Sequence, residues 1–205
     1  MGRHTTATCK LCRRENEKLF LKGEKCSTEK CPFTRRSYAP GQHGKRPIRP
    51  SEYGVRLREK QKARRIYGLT ESQFEKYFDE ASSRKGATGE KLLEFLERRL
   101  DNVVFRLGFV TSRQAARQLV HHGGIVVDDT RVDVPSFRVK TNQVIKVGAK
   151  GVQLVKTMME KLPDHTPPVW LTLTGEQEGK VLAMPKREDI DTVLEDHYIV
   201  EYYSR

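Results

Sequence analysis

Four cysteines, Cys9, Cys12, Cys26 and Cys31, fall within the first 31 residues of a 205-residue chain that contains no others. Their pattern is C-x2-C, thirteen residues, then C-x4-C, which makes two knuckles that can each present two sulfurs to one tetrahedral ion. In a reducing compartment a structural disulfide is disfavoured, so metal ligation or redox chemistry is the expectation. Zn2+ leads. An iron–sulfur cluster takes the same four thiolates, so spacing alone leaves zinc, a cluster and unmetallated thiols open. Lys10, Arg13, Arg14, Lys25 and Lys30 stand beside the thiols and would lower their pKa and balance a tetrathiolate charge. His4 and His43 could each replace one sulfur, but with four thiols present each reads better as a loop or RNA-facing residue. Between the knuckles only Leu19, Phe20 and Leu21 form an apolar cluster. That is too little core, and a metal would supply the missing folding free energy.

The second chemistry is polyanion binding. Residues 1–65 hold 19 Lys/Arg and 6 Asp/Glu, a balance of +13, whereas residues 66–205 hold 20 and 21, a balance of −1. Such a block repels itself unless a polyanion or a metal offsets the charge. No apolar run approaches ~18 residues, and the start MGRHTTATCK lacks the apolar segment of a signal peptide. The expectation is a soluble cytoplasmic chain whose partner is a nucleic acid. In FTRRSYAPGQHGKRPIRPSEYG the cations Arg35, Arg36, Lys45, Arg46 and Arg49, with His43, alternate with Pro, Gly and the rings Phe33, Tyr38 and Tyr53. Phosphates can meet the guanidinium groups while splayed bases meet the rings, which suits RNA; the bland alternative is a solvated linker. Arg13 and Arg14 extend the patch toward the cysteines. Downstream, Arg56, Arg58, Lys60, Lys62, Arg64 and Arg65 crowd one helix capped by Ser51, of which one face should pack and the rest grip phosphate.

These groups need a scaffold, and the remaining sequence describes one. TESQFEKYFDEASSRKG spaces Phe74, Tyr77, Phe78 and Ala81 as a helix behind a Thr70 cap. A further helix runs from Thr88 to Gly108 with Leu92, Leu93, Phe95, Leu96, Leu100, Val103, Val104 and Leu107 on its apolar face. TSRQAARQLVHHGG is a short helix capped by Thr111 or Ser112, with Ala115, Ala116, Leu119 and Val120 inward and Arg113, Arg117 and His121 as an outward basic stripe. Arg98, Arg99, Arg131 and Arg138 add to that patch, since residues 97–147 carry 9 basic and 5 acidic groups. Strands with turns at Asp128-Asp129 and Thr141-Asn142 follow. In the acidic tail, PVWLTLTG and HYIVEYYSR read as short strands, and Trp170 as a core residue.

The fold class expected is α+β. Residues 1–45 form a basic arm stabilised by a metal on the four cysteines, 46–96 a mainly helical body, 97–160 a two-helix module on a small antiparallel sheet, and 161–205 a segment returning to the body. Because residues 46–205 carry their own helices, removal of 1–45 should leave them folded.

CKLC, PGQHGKRPIRPSEYGVRLREKQKARRIYG, LERRLDNVVFRLGF, SRQAARQLVHHG and the terminal IVEYYSR together resemble the bacterial S-four family of small-subunit ribosomal proteins, in its four-cysteine N-terminal variant. The likeness covers almost the entire chain. The resemblance implies a structural, non-enzymatic protein that binds small-subunit ribosomal RNA early in assembly, at a multi-helix junction. It also implies contacts with neighbouring proteins five and three, and a place lining the opening through which messenger RNA enters, with an influence on decoding accuracy. Lys45, Arg46 and Arg49 match the family's basic segment at that opening, and Arg113 and Arg117 match its module's RNA-facing helix. VVDDTRV departs from the family's usual Asn-Gly hairpin and puts the turn type in doubt.

Two other functions remain as alternatives. One is an RNA-binding protein or translational repressor outside the ribosome. The other is an RNA-modifying enzyme, because Arg99-Leu100-Asp101 is similar to the Arg-Leu-Asp of pseudouridine synthases. Asp101 in the middle of an amphipathic helix, with no catalytic domain left to build, argues against it.

Overall fold

The computed structural model describes residues 7–46, 49–161 and 165–204, so His4 lies outside the described residues. The chain divides into two compact units, one formed by Met1–Leu92 with Thr192–Arg205 and the other by Leu93–Asp191. The cysteine arm is part of the first unit, most of the 161–205 segment belongs with the module, and only the stretch from Thr192 onward rejoins the body.

In the first unit α1 (Cys9–Glu15), α2 (Glu24–Ser27) and α3 (Pro32–Arg35) are short. Residues 36–46 form turns without regular structure, as the Pro and Gly content of this stretch requires. Helix α4 (Glu52–Ile66) begins where the Ser51 hydroxyl accepts from Gly54 N at 3.1 Å. Helix α5 (Glu71–Ser82) begins with a reciprocal cap between Thr70 and Gln73 and buries Phe74, Phe78 and Ala81. The C-terminal HYIVEYY is helix α10 (Asp196–Tyr203), not a strand. Its rings explain why: Tyr203 stacks on Phe78 at 4.4 Å and Tyr202 lies 5.7 Å from Tyr53, so tertiary packing overrides β-propensity.

In the second unit the expected Thr88–Gly108 helix is two helices, α6 (Thr88–Glu97), which crosses the boundary between units, and α7 (Leu100–Arg106). The break sits at Arg98 and Arg99. Arg99 is extended, Leu100 N donates to Phe137 O at 2.8 Å, and Val139 N donates to Arg98 O at 2.9 Å, so this backbone pairs with a strand segment instead of continuing the helix. Helix α8 (Arg113–His121) is capped by Ser112, whose hydroxyl accepts from Ala115 N at 3.3 Å. Gly123, at φ +68°, then turns the chain into the sheet.

That sheet is antiparallel, with strand order β2 (Thr130–Arg131), β1 (Ile125–Val127), β3 (Val144–Val147), β5 (Glu178–Val181), β4 (Leu171–Gly175). Helix α9 (Val152–Met159) lies between β3 and β4 in sequence and buries Val155. Ala116, Leu119, Val120, Ile125, Ile145, Trp170, Leu171 and Val181 share one core with α7. A Cβ on Gly179 would stand 2.6 Å from a methyl of Leu107, which caps α7, so the sheet rests directly on the end of that helix. Asp128 and Asp129 both take positive φ, 46° and 65°, as a two-residue I′ hairpin requires. The Asp128 carboxylate also accepts from Val144 N and the Gln143 amide, which compensates for the non-glycine backbone.

Candidate nucleic-acid interface

Cys9 and Cys12 sit on α1, which ends where Asn16 turns left-handed and its N–H donates to Cys12 O. Cys26 lies on α2, and its sulfur accepts from Lys22 N at 3.3 Å; Cys31 precedes α3, where Pro32 opens the first turn. Cys12, Cys26 and Cys31 are buried and Cys9 is half-buried. Burial pushes the thiols of Cys12 and Cys26 up, and the other cysteines' charges push the same way. Burial also opposes ionisation of Cys31, but the N–H groups of Phe33 and Thr34 and the charge of Lys18 outweigh it and hold that thiol below its ordinary value. Among the described residues no group of three or more His, Cys, Asp and Glu is arranged to hold a metal. The donor chemistry suits zinc, but this geometry does not by itself support the expected metal-stabilised arm.

Ion pairs tie the arm to α4. The Glu15 side chain, 1% exposed, reaches Arg58 at 3.3 Å and also pairs with Arg65, while Glu17 meets Lys62 at 2.6 Å. This changes the reading of α4. Lys60 is 3% exposed and pairs with Glu71 at 2.5 Å, Arg64 meets the same carboxylate at 3.3 Å, and Arg56 binds Glu201 at 2.5 Å and Glu52 at 3.3 Å. All six cations expected to grip phosphate therefore face carboxylates. The helix is basic because it is the hub to which α1, α5 and α10 are tied. Glu15, Glu17, Glu71 and Glu201 are the residues that sequence reasoning missed. For Glu15 and Glu17 a signal was available, since acidic residues inside a basic block ask for partners, whereas Glu71 and Glu201 lie outside that block.

Arg14, Arg35, Arg36, His43, Lys45, Arg46 and Arg49 are exposed, and none has an ion-pair partner among the described residues. Arg13 differs. Its Nε donates to Tyr38 O at 2.9 Å, a terminal nitrogen reaches Ala39 O at 3.4 Å, and its guanidinium carbon lies 5.0 Å from the centre of the Tyr38 ring. Lys45 Nζ approaches that ring at 5.4 Å.

In the second unit Arg99 is buried and its fork meets the Asp101 carboxylate at 3.0 and 2.7 Å, so it leaves the set of surface cations. Asp101 lies in the first turn of α7 and holds structure there; it is not the free aspartate a pseudouridine synthase needs. Arg98 is divided between Glu94 at 3.0 Å and Val139 O at 3.0 Å. Arg113 and Arg117 do not form the freely outward stripe expected. Arg113 Nε donates to Asn102 Oδ1 at 2.8 Å with the guanidinium 4.5 Å from the Phe105 ring, and Arg117 lies 3.6 Å from Asp101. Arg138 covers Phe95 at 5.1 Å. His121 and Arg131 are exposed, and the Arg131 guanidinium lies across Gly123. A second buried network joins Glu97, Asn102 and Arg106, with Arg106 reaching Asp191 at 3.0 Å. No helix among the described residues is long and apolar enough to cross a membrane.

The geometry is that of an exposed cationic surface on an internally neutralised scaffold, and known proteins share the sequence that builds it. The family described as Ribosomal protein S4/S9 N-terminal domain matches residues 3–97, and the S4 domain matches residues 98–145. Proteins called small ribosomal subunit protein uS4 from Halothermothrix orenii and Thermoanaerobacter pseudethanolicus are each 54% identical over 208 residues, with 100% of both chains covered. One of the same name from Dictyoglomus thermophilum is 52% identical over 206 residues, again over 100% of both chains.

Proposed function

This chain belongs to the uS4 family of small-subunit ribosomal proteins, and from that premise we propose that it binds small-subunit ribosomal RNA early in assembly through the exposed cations of its arm and loop. It is a structural component of the small ribosomal subunit in the cytoplasm and not an enzyme. The observation that carries the RNA reading is the division of the first unit's charge. The α4 cations are matched by carboxylates, whereas Arg14, Arg35, Arg36, His43, Lys45, Arg46 and Arg49 remain exposed for phosphate. His121 and Arg131 form the secondary contact on the module.

The same proposal includes contacts with neighbouring ribosomal proteins five and three and a place beside incoming messenger RNA, where Lys45, Arg46 and Arg49 would influence decoding accuracy. One Zn2+ held by Cys9, Cys12, Cys26 and Cys31 would cross-link an arm with little apolar content. Four thiol donors and the N–H groups directed at Cys12, Cys26 and Cys31 support this. Elemental analysis of purified protein tests it: one zinc per chain is expected, iron with sulfide would replace zinc by a cluster, and no metal in carefully prepared protein would remove the proposal. For the RNA reading the test is direct binding to naked small-subunit ribosomal RNA together with co-sedimentation with small subunits. Binding without co-sedimentation would favour a repressor acting outside the ribosome.

A further inference from the structure

Arg13 follows Cys12 on α1, and its charge alone makes it read as one more phosphate contact. Its guanidinium is already engaged by the Tyr38 and Ala39 carbonyls and by the face of the Tyr38 ring. The loop it touches has no regular structure, and none of residues 38–46 is fully buried, so no core fixes its position. Local turns give it shape: Gly44 N donates to Gly41 O at 3.2 Å, Arg46 N donates to His43 O at 3.0 Å, and Gly41 takes φ +110°. The loop folds back tightly. A Cβ on Gly44 would collide with Ala39 O, the carbonyl that Arg13 also reaches.

We propose that Arg13 is a positioning residue for RNA recognition, clamping the start of the loop to α1 so that Gln42, His43, Lys45 and Arg46 meet RNA in one arrangement. Arg13 itself contacts no phosphate. A planar fork can donate to two successive carbonyls while lying flat on a ring, a rigid arrangement that a compact, strongly hydrated ammonium does not reproduce. A loop held in place beforehand avoids the ordering cost that would otherwise accompany binding. The clamp also links the cysteine knuckle to the loop, since Cys12 and Arg13 are adjacent on one helix.

The inference rests on the RNA reading, and salt dependence separates the two. Affinity for naked small-subunit ribosomal RNA is measured across a salt series for the full chain and its Arg13→Ala, Arg13→Lys, Gly44→Ala and Arg13→Ala/Gly44→Ala variants, with thermal unfolding alongside. The positioning role predicts that Arg13→Lys weakens binding about as much as Arg13→Ala, by roughly tenfold or more, with an unchanged slope of log K against log salt. Gly44→Ala, which breaks the same turn from the other side, should weaken binding similarly, and the double variant should lose less than the two losses combined. Wild-type affinity in Arg13→Lys, with Arg13→Ala flattening the slope by roughly 0.7 to 0.9, makes Arg13 an ordinary phosphate contact and overturns the inference. If the Arg13 variants unfold, Gly44→Ala decides, and wild-type affinity there also overturns it. Failure of the unsubstituted chain to bind RNA overturns the RNA reading itself.

Discussion

Arg99 and Asp101 face each other inside the second unit, joined by two near-parallel hydrogen bonds of 3.0 and 2.7 Å, with the arginine 1% exposed. The intervening Leu100 fills the core, so the three-residue motif is a folding device at the break between α6 and α7. Asp101→Asn would leave a buried guanidinium without its counter-charge. Such a loss costs about 3–5 kcal/mol, readable by urea unfolding. A change below about 0.5 kcal/mol, the level of an ordinary surface substitution, would show that the pair contributes nothing.

Arg113 and Arg117, half-buried on α8, border this interior. Because Arg113 holds Asn102 and covers Phe105, and Arg117 lies beside Asp101, replacing both with alanine should lower stability by about 1.5–3 kcal/mol, the range of hydrogen bonds to charged groups. Thermal unfolding and RNA affinity measured on one preparation check this. Unchanged stability with weakened, salt-sensitive binding would return both arginines to the RNA surface.

Glu71 gives the first unit a pH dependence. Burial disfavours its charge, but the Lys60 ammonium, the Tyr203 hydroxyl and Arg64 outweigh that and hold the carboxyl below the usual glutamate range. A depressed folded pKa means that the unfolded chain binds protons more readily in the window between the two values. The stabilisation is therefore complete above the ordinary glutamate pKa and lost as pH falls through the folded one. Unfolding midpoints across acidic pH should fall more steeply for the natural chain than for Glu71→Gln; parallel curves would contradict the assignment.

The arm is bonded to the body through Glu15, which lies between Arg58 and Arg65. Glu15→Gln should destabilise the first unit by about 1–3 kcal/mol, as expected when a buried charged hydrogen-bond network loses its negative charge. Deletion of residues 1–45 also takes Glu17 away from Lys62, so it should lower the unfolding midpoint as well as RNA affinity. A truncated chain as stable as the full one would vindicate the simpler sequence expectation of an independent body.

Local rules were readable where the chain obeys them. Ser51, Thr70 and Ser112 announce helix starts because each hydroxyl satisfies a nearby backbone N–H, and the alternation after Gly124 announces strands. Two readings failed for a common reason. Tyr202 and Tyr203 favour a strand until Phe78 and Tyr53 are there to pack on a helix, and Leu100 continues a helical period until Arg99 pairs with Arg138, far along the chain. For the α4 cations the missing information was of another kind. Charge is visible in sequence, but whether it is neutralised depends on Glu15 and Glu201, which only folding brings alongside.

On the proposed reading, the exposed loop cations, and not those of α4, carry the electrostatic contact with RNA. Salt-dependent binding to naked small-subunit ribosomal RNA tests it most directly, comparing a variant with Arg35, Arg36, Lys45, Arg46 and Arg49 all changed to alanine against one with Arg56 and Arg64 changed. The loop variant should flatten the slope by roughly 0.7 to 0.9 for each phosphate contact removed while its unfolding midpoint stays put, and the α4 variant should lose stability with a nearly unchanged slope in whatever fraction remains folded. An unchanged slope in the loop variant, with a flattened slope and intact stability in the α4 variant, would contradict the account.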